Sequence, residues 1–244
     1  MRDYDRYETA SFGFRTRASD DGGIEYSSGG FITSVGGRPS GATLETRRAA
    51  QQGVPTGRVL RGFAALYRKA HPFTGDDEGP ADADYLLPGC FAESLKRGDC
   101  VRFCAMHLRS RDFGSTSDGA LKLLETETGL AFELKLSDSD DHAELLREIA
   151  SDAKRGMSIG YYKIKAARKV VDGTRIRILE HARLDEISLV DRPAIRGTGV
   201  AVLDAAKAEP FESAARSFSL AATVASENLS ASLRAFRDKV IALA

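Results

Sequence analysis

Residues Ala120 to Glu125 and Leu130 to Leu136 alternate apolar and polar side chains on either side of Glu127-Thr128-Gly129. Alternation with period two places every second side chain on one face of a strand, and a glycine-bearing break between two such runs signals a hairpin. The same pattern recurs along the chain. Val59 to Tyr67, Cys100 to His107, Met157 to Ile164, Thr174 to Leu179, Leu184 to Val190 and Val200 to Leu203 read as further strands. Helices are fewer. A short one is expected from Cys90 to Arg97, stopped by Gly98, and a longer one from Asp141 to Arg155. In the longer one, Asp141 and Glu144 have the spacing of a capping box and Gly156 is a natural stop. About seven mostly consecutive strands with two or three helices define an α+β chain. Closure removes exposed sheet edges, so a mainly antiparallel small β-barrel with a few flanking helices is the expected architecture.

Three regions are expected. Residues 1–56 carry Gly22-Gly23, Ser27-Ser28-Gly29-Gly30 and Gly36-Gly37 in a polar stretch with no sustained period. Such a stretch buries too little apolar surface to offset its ordering entropy, so it reads as a flexible tail or pro-segment that still has apolar bits able to add an edge strand. Residues 57–205 form the compact domain, with a long acidic loop at 71–84. Residues 206–244 turn to alanine and serine with helical character and an apolar stripe at Leu229, Leu233, Phe236, Val240 and Ile241.

Composition removes several function classes. Thirty-five Lys and Arg balance 35 Asp and Glu, which gives no electrostatic argument for binding nucleic acid or an anionic membrane. No stretch approaches the ~20 apolar residues that span a bilayer. The start, Met1-Arg2-Asp3-Tyr4-Asp5-Arg6, is charged and is not a secretory signal. Cys90, Cys100 and Cys104 make an odd count with no disulfide framework, which fits a reduced cytoplasmic setting.

Two short strings carry chemistry. Phe103-Cys104-Ala105-Met106-His107 ends an apolar run on a histidine, and Gly156-Met157-Ser158-Ile159-Gly160-Tyr161 sets a serine between glycines as a helix gives way to a strand. Serine becomes a competent nucleophile when a base takes its proton, and a histidine titrating near ~6.5 can serve. The histidine needs an acceptor on its other ring nitrogen. Glu186 on the strand Leu184–Val190 is one candidate and His181, just before it, is the other. Gly156 and Gly160 leave room for a substrate backbone. The helix-to-strand order differs from the strand-to-helix nucleophile elbow of hydrolases. Each residue also has an ordinary reading. Ser158 could begin a strand after a glycine stop, His107 could be a rim histidine, and Glu186 could pair with Arg183 or Arg175. His71 is expected to be solvated and His142 to lie on the surface. Cys90, Cys100, Cys104 and His107 are possible zinc ligands. However, an extended 100–107 turns His107 away from Cys100 and Cys104, and no Cys-x-x-Cys pair is present. No metal or cofactor is expected.

Taken in order, these segments resemble the prohead maturation proteases of tailed bacteriophages. The resemblance runs from about Val59 to Asp204. It rests on Arg61-Gly62-Phe63-Ala64, Leu87-Pro88-Gly89-Cys90-Phe91 with Ser94-Leu95, and His107. It continues through Phe113-Gly114-Ser115-Thr116, Glu127-Thr128-Gly129-Leu130, the Gly156–Tyr161 string, and Glu186-Ile187-Ser188-Leu189-Val190 closing on Arg192-Pro193-Ala194. Leu108 stands where family members often have an aspartate after the histidine.

The resemblance implies an assemblin-like fold, related to that of the herpesvirus assemblins. It implies a serine endopeptidase with His107 as base and Ser158 as nucleophile. The third catalytic member varies between acidic residues and histidine in this clan, so Glu186 leads and His181 follows. The implied partners are the major capsid protein and a scaffold protein or scaffold segment, cut inside the procapsid in the host bacterial cytoplasm, together with self-cleavage of the tails. Clan relatives form dimers, so a homodimer is among the implied assemblies. The competing readings are a non-enzymatic capsid-assembly or scaffolding protein, and a metal-dependent hydrolase using His107 and the cysteines.

Overall fold

The computed structural model describes residues 7–9, 14–18, 24–28, 55–72, 79, 81–151 and 156–217. In chain order the strands begin with β1 (Tyr7–Thr9), β2 (Phe14–Ala18), β3 (Ile24–Ser28), β4 (Pro55–Leu66), β5 (Ala70–Pro72) and β6 (Ala83–Leu86). Helix α1 (Ala92–Arg97) precedes β7 (Arg102–Ala105), β8 (Leu108–Ser115), β9 (Leu121–Glu125) and β10 (Gly129–Ser137). Helix α2 (Asp140–Ala150) leads to β11 (Gly156–Val171), β12 (Thr174–Val190) and β13 (Gly199–Asp204). Residues 211–217 are helical, and the rest of the expected C-terminal helix lies outside the described residues.

Two sheets carry the domain. The larger has the order β1-β11-β12-β6-β5, with β7 also on β12 and β8 on β7. The smaller has the order β13-β4-β10-β9, and β2 and β3 form a separate hairpin. Pairing is antiparallel except where β6 and β7 lie parallel to β12, at Ile176–Leu179 and Glu186–Leu189 respectively. The molecule is thus mostly antiparallel β with few helices, as expected. The closed ring is not formed by these ladders, which stay open at both ends among the described residues.

The core lies between the two sheets. Leu60, Ala64, Phe132 and Leu134 of the smaller sheet face Phe103, Met157, Ile159, Ile187 and Leu189 of the larger. Phe103 meets Phe132 at 5.5 Å between ring centroids. Each of these large side chains removes enough apolar surface from water to stabilise the fold by roughly 1.5–3 kcal/mol.

Several sequence expectations are corrected. The two strands expected at 174–179 and 184–190 are one strand, β12. Its polar centre is accommodated because Glu180 pairs with Lys165 and Arg183 lies 4.3 Å over the Tyr162 ring. The polar run after His107 is strand β8, where each charge finds a partner: Arg109 with Asp185, Arg111 with Glu148, and Asp112 with Arg102. Helix α2 is capped two residues earlier than expected, by the Ser139 hydroxyl accepting from the His142 amide. His142 is buried rather than on the surface. Its Nδ1 lies 2.9 Å from the Ser137 amide, and its Nε2 lies 2.9 Å from the Phe113 carbonyl. His71 is buried too, with Nε2 3.0 Å from the Leu66 carbonyl, because residues 70–72 form β5 rather than loop.

Candidate active site

The larger sheet sorts its residues by parity. Directly opposed residues share a face, and successive residues alternate. Ser158 on β11 is opposite Ser188 on β12, and Ser188 is also level with Cys104 on β7. Two residues away, Glu186 is opposite Gly160 and level with Arg102. Ser158, Ser188, Glu186 and Cys104 therefore share one face. The intervening Met157, Ile159, Ile187, Leu189 and Phe103 fill the core on the other.

His107 reaches that polar face by a turn. Strand β7 ends at Ala105, which pairs with Leu108 at the start of β8, leaving Met106 and His107 as a two-residue hairpin loop. Both have left-handed backbone, φ 55° and 59°. This is the conformation that suits the twist of a tight hairpin, and one normally served by Asn-Gly or Asp-Gly. Strand β12 supplies hydrogen bonds that hold it. The Met106 amide donates to the Leu189 carbonyl at 2.9 Å, and the His107 amide donates to the Ser188 hydroxyl at 2.8 Å. The sequence-based argument that His107 points away from Cys104 is thereby corrected. It assumed an extended chain to residue 107, and the strand stops two residues sooner.

The His107 ring packs against Glu186, with Nδ1 2.5 Å from Oε1 and both side chains 1% exposed. A carboxylate held there fixes which ring nitrogen carries the proton and leaves Nε2 as the basic one. Cys104 also reaches Glu186. Burial pushes its thiol well above the ordinary range, and the neighbouring carboxylate raises it further, so it stays a neutral S–H donor. Asp185, next in sequence, is likewise pushed up by burial.

The other expected members fall elsewhere. His181 lies five residues from Glu186 along β12, in register with Lys165. Arg175 pairs with Asp82 at 2.7 Å, and Arg183 stacks on Tyr162, so neither is the partner shown for Glu186. Gly156 does permit a close approach, but of this chain: a Cβ there would lie 2.4 Å from the Pro193 ring. Cys90 and Cys104 are buried while Cys100 is exposed, and none is in a disulfide. Among the described residues no cluster of three or more metal-ligating side chains occurs, and no helix is long and apolar enough to cross a membrane.

Ser158, Ser188, His107 and Glu186 are all fully or almost fully buried. A cavity of about 480 Å³ opens between β4, β10 and residues 205–212, and none of these four lines it. Ser188 was not singled out from sequence, because a serine inside an apolar strand has no signature until its partner strand is known.

A buried imidazole–carboxylate pair on the same sheet face as a strand serine is the equipment of a serine hydrolase. Residues 44–213 match the family described as caudovirus prohead serine protease. The chain belongs to that family: it is a serine protease of phage capsid maturation. Among solved structures it is similar to the protease of the herpesvirus KSHV, crystallised with a hexapeptide phosphonate inhibitor. That likeness has 14% identity and a TM-score of 0.36, and covers 75% of this chain and 87% of that one. No curated protein matches.

Proposed function

We propose that Ser158, His107 and Glu186 are the nucleophile, base and orienting carboxylate of this protease. The observation that carries the reading is the buried 2.5 Å contact between His107 Nδ1 and Glu186 Oε1. It lies on the face that Ser158 shares and is anchored through Ser188, the residue directly opposite Ser158.

In this mechanism His107 Nε2 takes the Ser158 hydroxyl proton as the oxygen attacks the scissile carbonyl. Glu186 stabilises the imidazolium that forms. The tetrahedral intermediate collapses, the carbon–nitrogen bond breaks, and the same proton passes to the leaving amine. Water then hydrolyses the ester with His107 again as base. The oxyanion is assigned in this reading to backbone N–H groups following β12, near the exposed Arg192; the end of β12, where Gly156 pairs with Val190 two residues before Ser158, supports the assignment. One such donor is typically worth about 3–4 kcal/mol of barrier.

The substrates in this reading are the scaffold protein, or the scaffold-like segment of the capsid protein, inside the procapsid, and the chain's own tails outside residues 57–205. A homodimer belongs to the same proposal. Co-expression of Ser158→Ala with capsid and scaffold proteins tests it. The variant abolishes their processing, and undiminished processing ends the assignment.

A further inference from the structure

Strand β12 changes face just before Glu186. Glu186 is opposite Gly160, and the next pair along the ladder is Leu184 with Tyr161, so Asp185 is an extra residue on β12. A β-bulge of this kind re-aims the side chains beside it. Leu184 and Ile187 both pack in the core, yet residues three apart cannot share a face of a regular strand. Without the bulge Glu186 would share the core face with Leu184. The bulge at Asp185 therefore delivers the Glu186 carboxylate to the polar face, against His107.

Strand β8 is irregular at the matching place. Its register with β7 jumps from Leu108, opposite Ala105, to Asp112, opposite Cys104. Arg109, Ser110 and Arg111 are the extra residues, and they follow His107 closely. The two irregularities are joined: Arg109 Nη2 donates to Asp185 Oδ2 at 2.9 Å.

We propose that Arg109 and Asp185 are positioning residues for the proteolytic reaction. Their ion pair fastens the segment after His107 to the bulge before Glu186, and so fixes the geometry of the His107–Glu186 contact. The proposal rests on the assignment of that contact as base and orienting carboxylate.

Three observations support this. First, the two contacts bridge the same two segments: Arg109 is two residues after His107, and Asp185 adjoins Glu186. Second, Asp185 depends on Arg109 for its charge. Burial pushes the Asp185 carboxyl up and Glu186 pushes it further, while Arg109 opposes them more strongly than Arg102 does. Without Arg109, a largely buried carboxylate beside a second carboxylate loses its main counter-charge. Turning toward water relieves it, and that motion displaces the bulge. Third, the Arg109 side chain is 50% exposed, and a pair this open to solvent contributes little to global stability. Its effect on rate can be larger, because a misplacement of about 1 Å in a reacting constellation costs on the order of 10²-fold.

The test uses the full-length chain and a peptide spanning the scaffold junction that the wild-type chain cuts, mapped by mass spectrometry. Arg109→Met and Asp185→Asn each lower kcat about tenfold, with KM changed less than about twofold. The double variant loses no more than either single one, because the same interaction is removed once. Arg109→Lys, which keeps the charge, recovers most of the rate. In proton NMR the hydrogen-bonded His107 Nδ1–H resonance, identified by its loss in His107→Ala, moves or broadens in Arg109→Met while the urea midpoint stays near that of wild type. The proposal is overturned by an unchanged kcat in Arg109→Met, by a loss carried in KM, or by single losses that multiply in the double variant. A loss that follows the urea midpoint with the resonance unmoved overturns it too. Glu186→Gln separates the two claims. If it keeps wild-type kcat, the orienting-carboxylate assignment fails and the proposal with it, whereas an inactive Glu186→Gln beside a fully active Arg109→Met overturns only the role of the ion pair.

Discussion

Met106 and His107 adopt a backbone that L-residues seldom take, at a cost of about 1–2 kcal/mol each. The return is orientation, since the turn swings the imidazole from a strand end onto Glu186. Two hydrogen bonds to β12 hold it there, and Ser188 supplies one of them. Ser188→Ala leaves the buried His107 amide without its acceptor, a loss of about 1–3 kcal/mol. It is expected to lower kcat tenfold or more with KM little changed, as measured on a peptide substrate. An equal change in KM would mark Ser188 as a packing residue only. Glu186→Gln replaces an acceptor with a group that can also donate, favouring the wrong imidazole tautomer. In peptide-cleavage kinetics kcat is expected to fall by about 10³–10⁴-fold, and a loss under threefold would remove Glu186 from this role. Met106→Val places a β-branched residue in the left-handed turn and is expected to lower stability in urea unfolding by about 2 kcal/mol or more, whereas Met106→Gly relieves the strain.

At the level of elements, β11 and β12 carry the candidate site because their parity splits cleanly into a core face and a polar face. The start of β11 is set by Gly156 against the Pro193 ring. Gly156→Ala forces that contact apart at a site two residues from Ser158. It is expected to destabilise by about 1–3 kcal/mol in urea unfolding and to lower activity by more than the stability loss explains. Strand β5 contributes a pH dependence. Burial lowers the His71 pKa from its ordinary 6.5 to about 4. The unfolded chain therefore binds the proton first, so stability is full above pH 6.5 and declines as pH falls toward 4, by on the order of 3 kcal/mol. Urea midpoints across this window in wild type and His71→Gln check it: the variant should show a flatter profile, and identical slopes would rule His71 out as the source. The strands around the site were legible because period-two alternation survives in sequence wherever one face is buried, as at β9, β10 and the start of β11. Strand β8 was not, since its polar residues are paid for by partners on β7, α2 and β12 that no local pattern reveals. The Met106-His107 turn was also invisible, because neither residue is a turn former and the hydrogen bonds that impose it come from β12, some eighty residues away.

Across the whole molecule, the arrangement brings together residues from four segments: His107 from the β7–β8 turn, Ser158 from β11, Glu186 and Ser188 from β12, and β1 beside them at the edge. The sequence pointed to His107, Ser158 and Glu186 as candidates, but to neither Ser188 nor the pairing of β1. It did not hold their parity relations, which follow only from the register. The account's central claim, that the hydroxyl of Ser158 is activated by His107, is tested most directly by a serine-reactive phosphonate. The reagent is applied to chain co-expressed with its capsid and scaffold partners and already processing them, and the adduct is mapped by mass spectrometry. The account predicts a single adduct on Ser158 that is absent in His107→Ala. An adduct on another serine that blocks processing while Ser158 stays unmodified would contradict it.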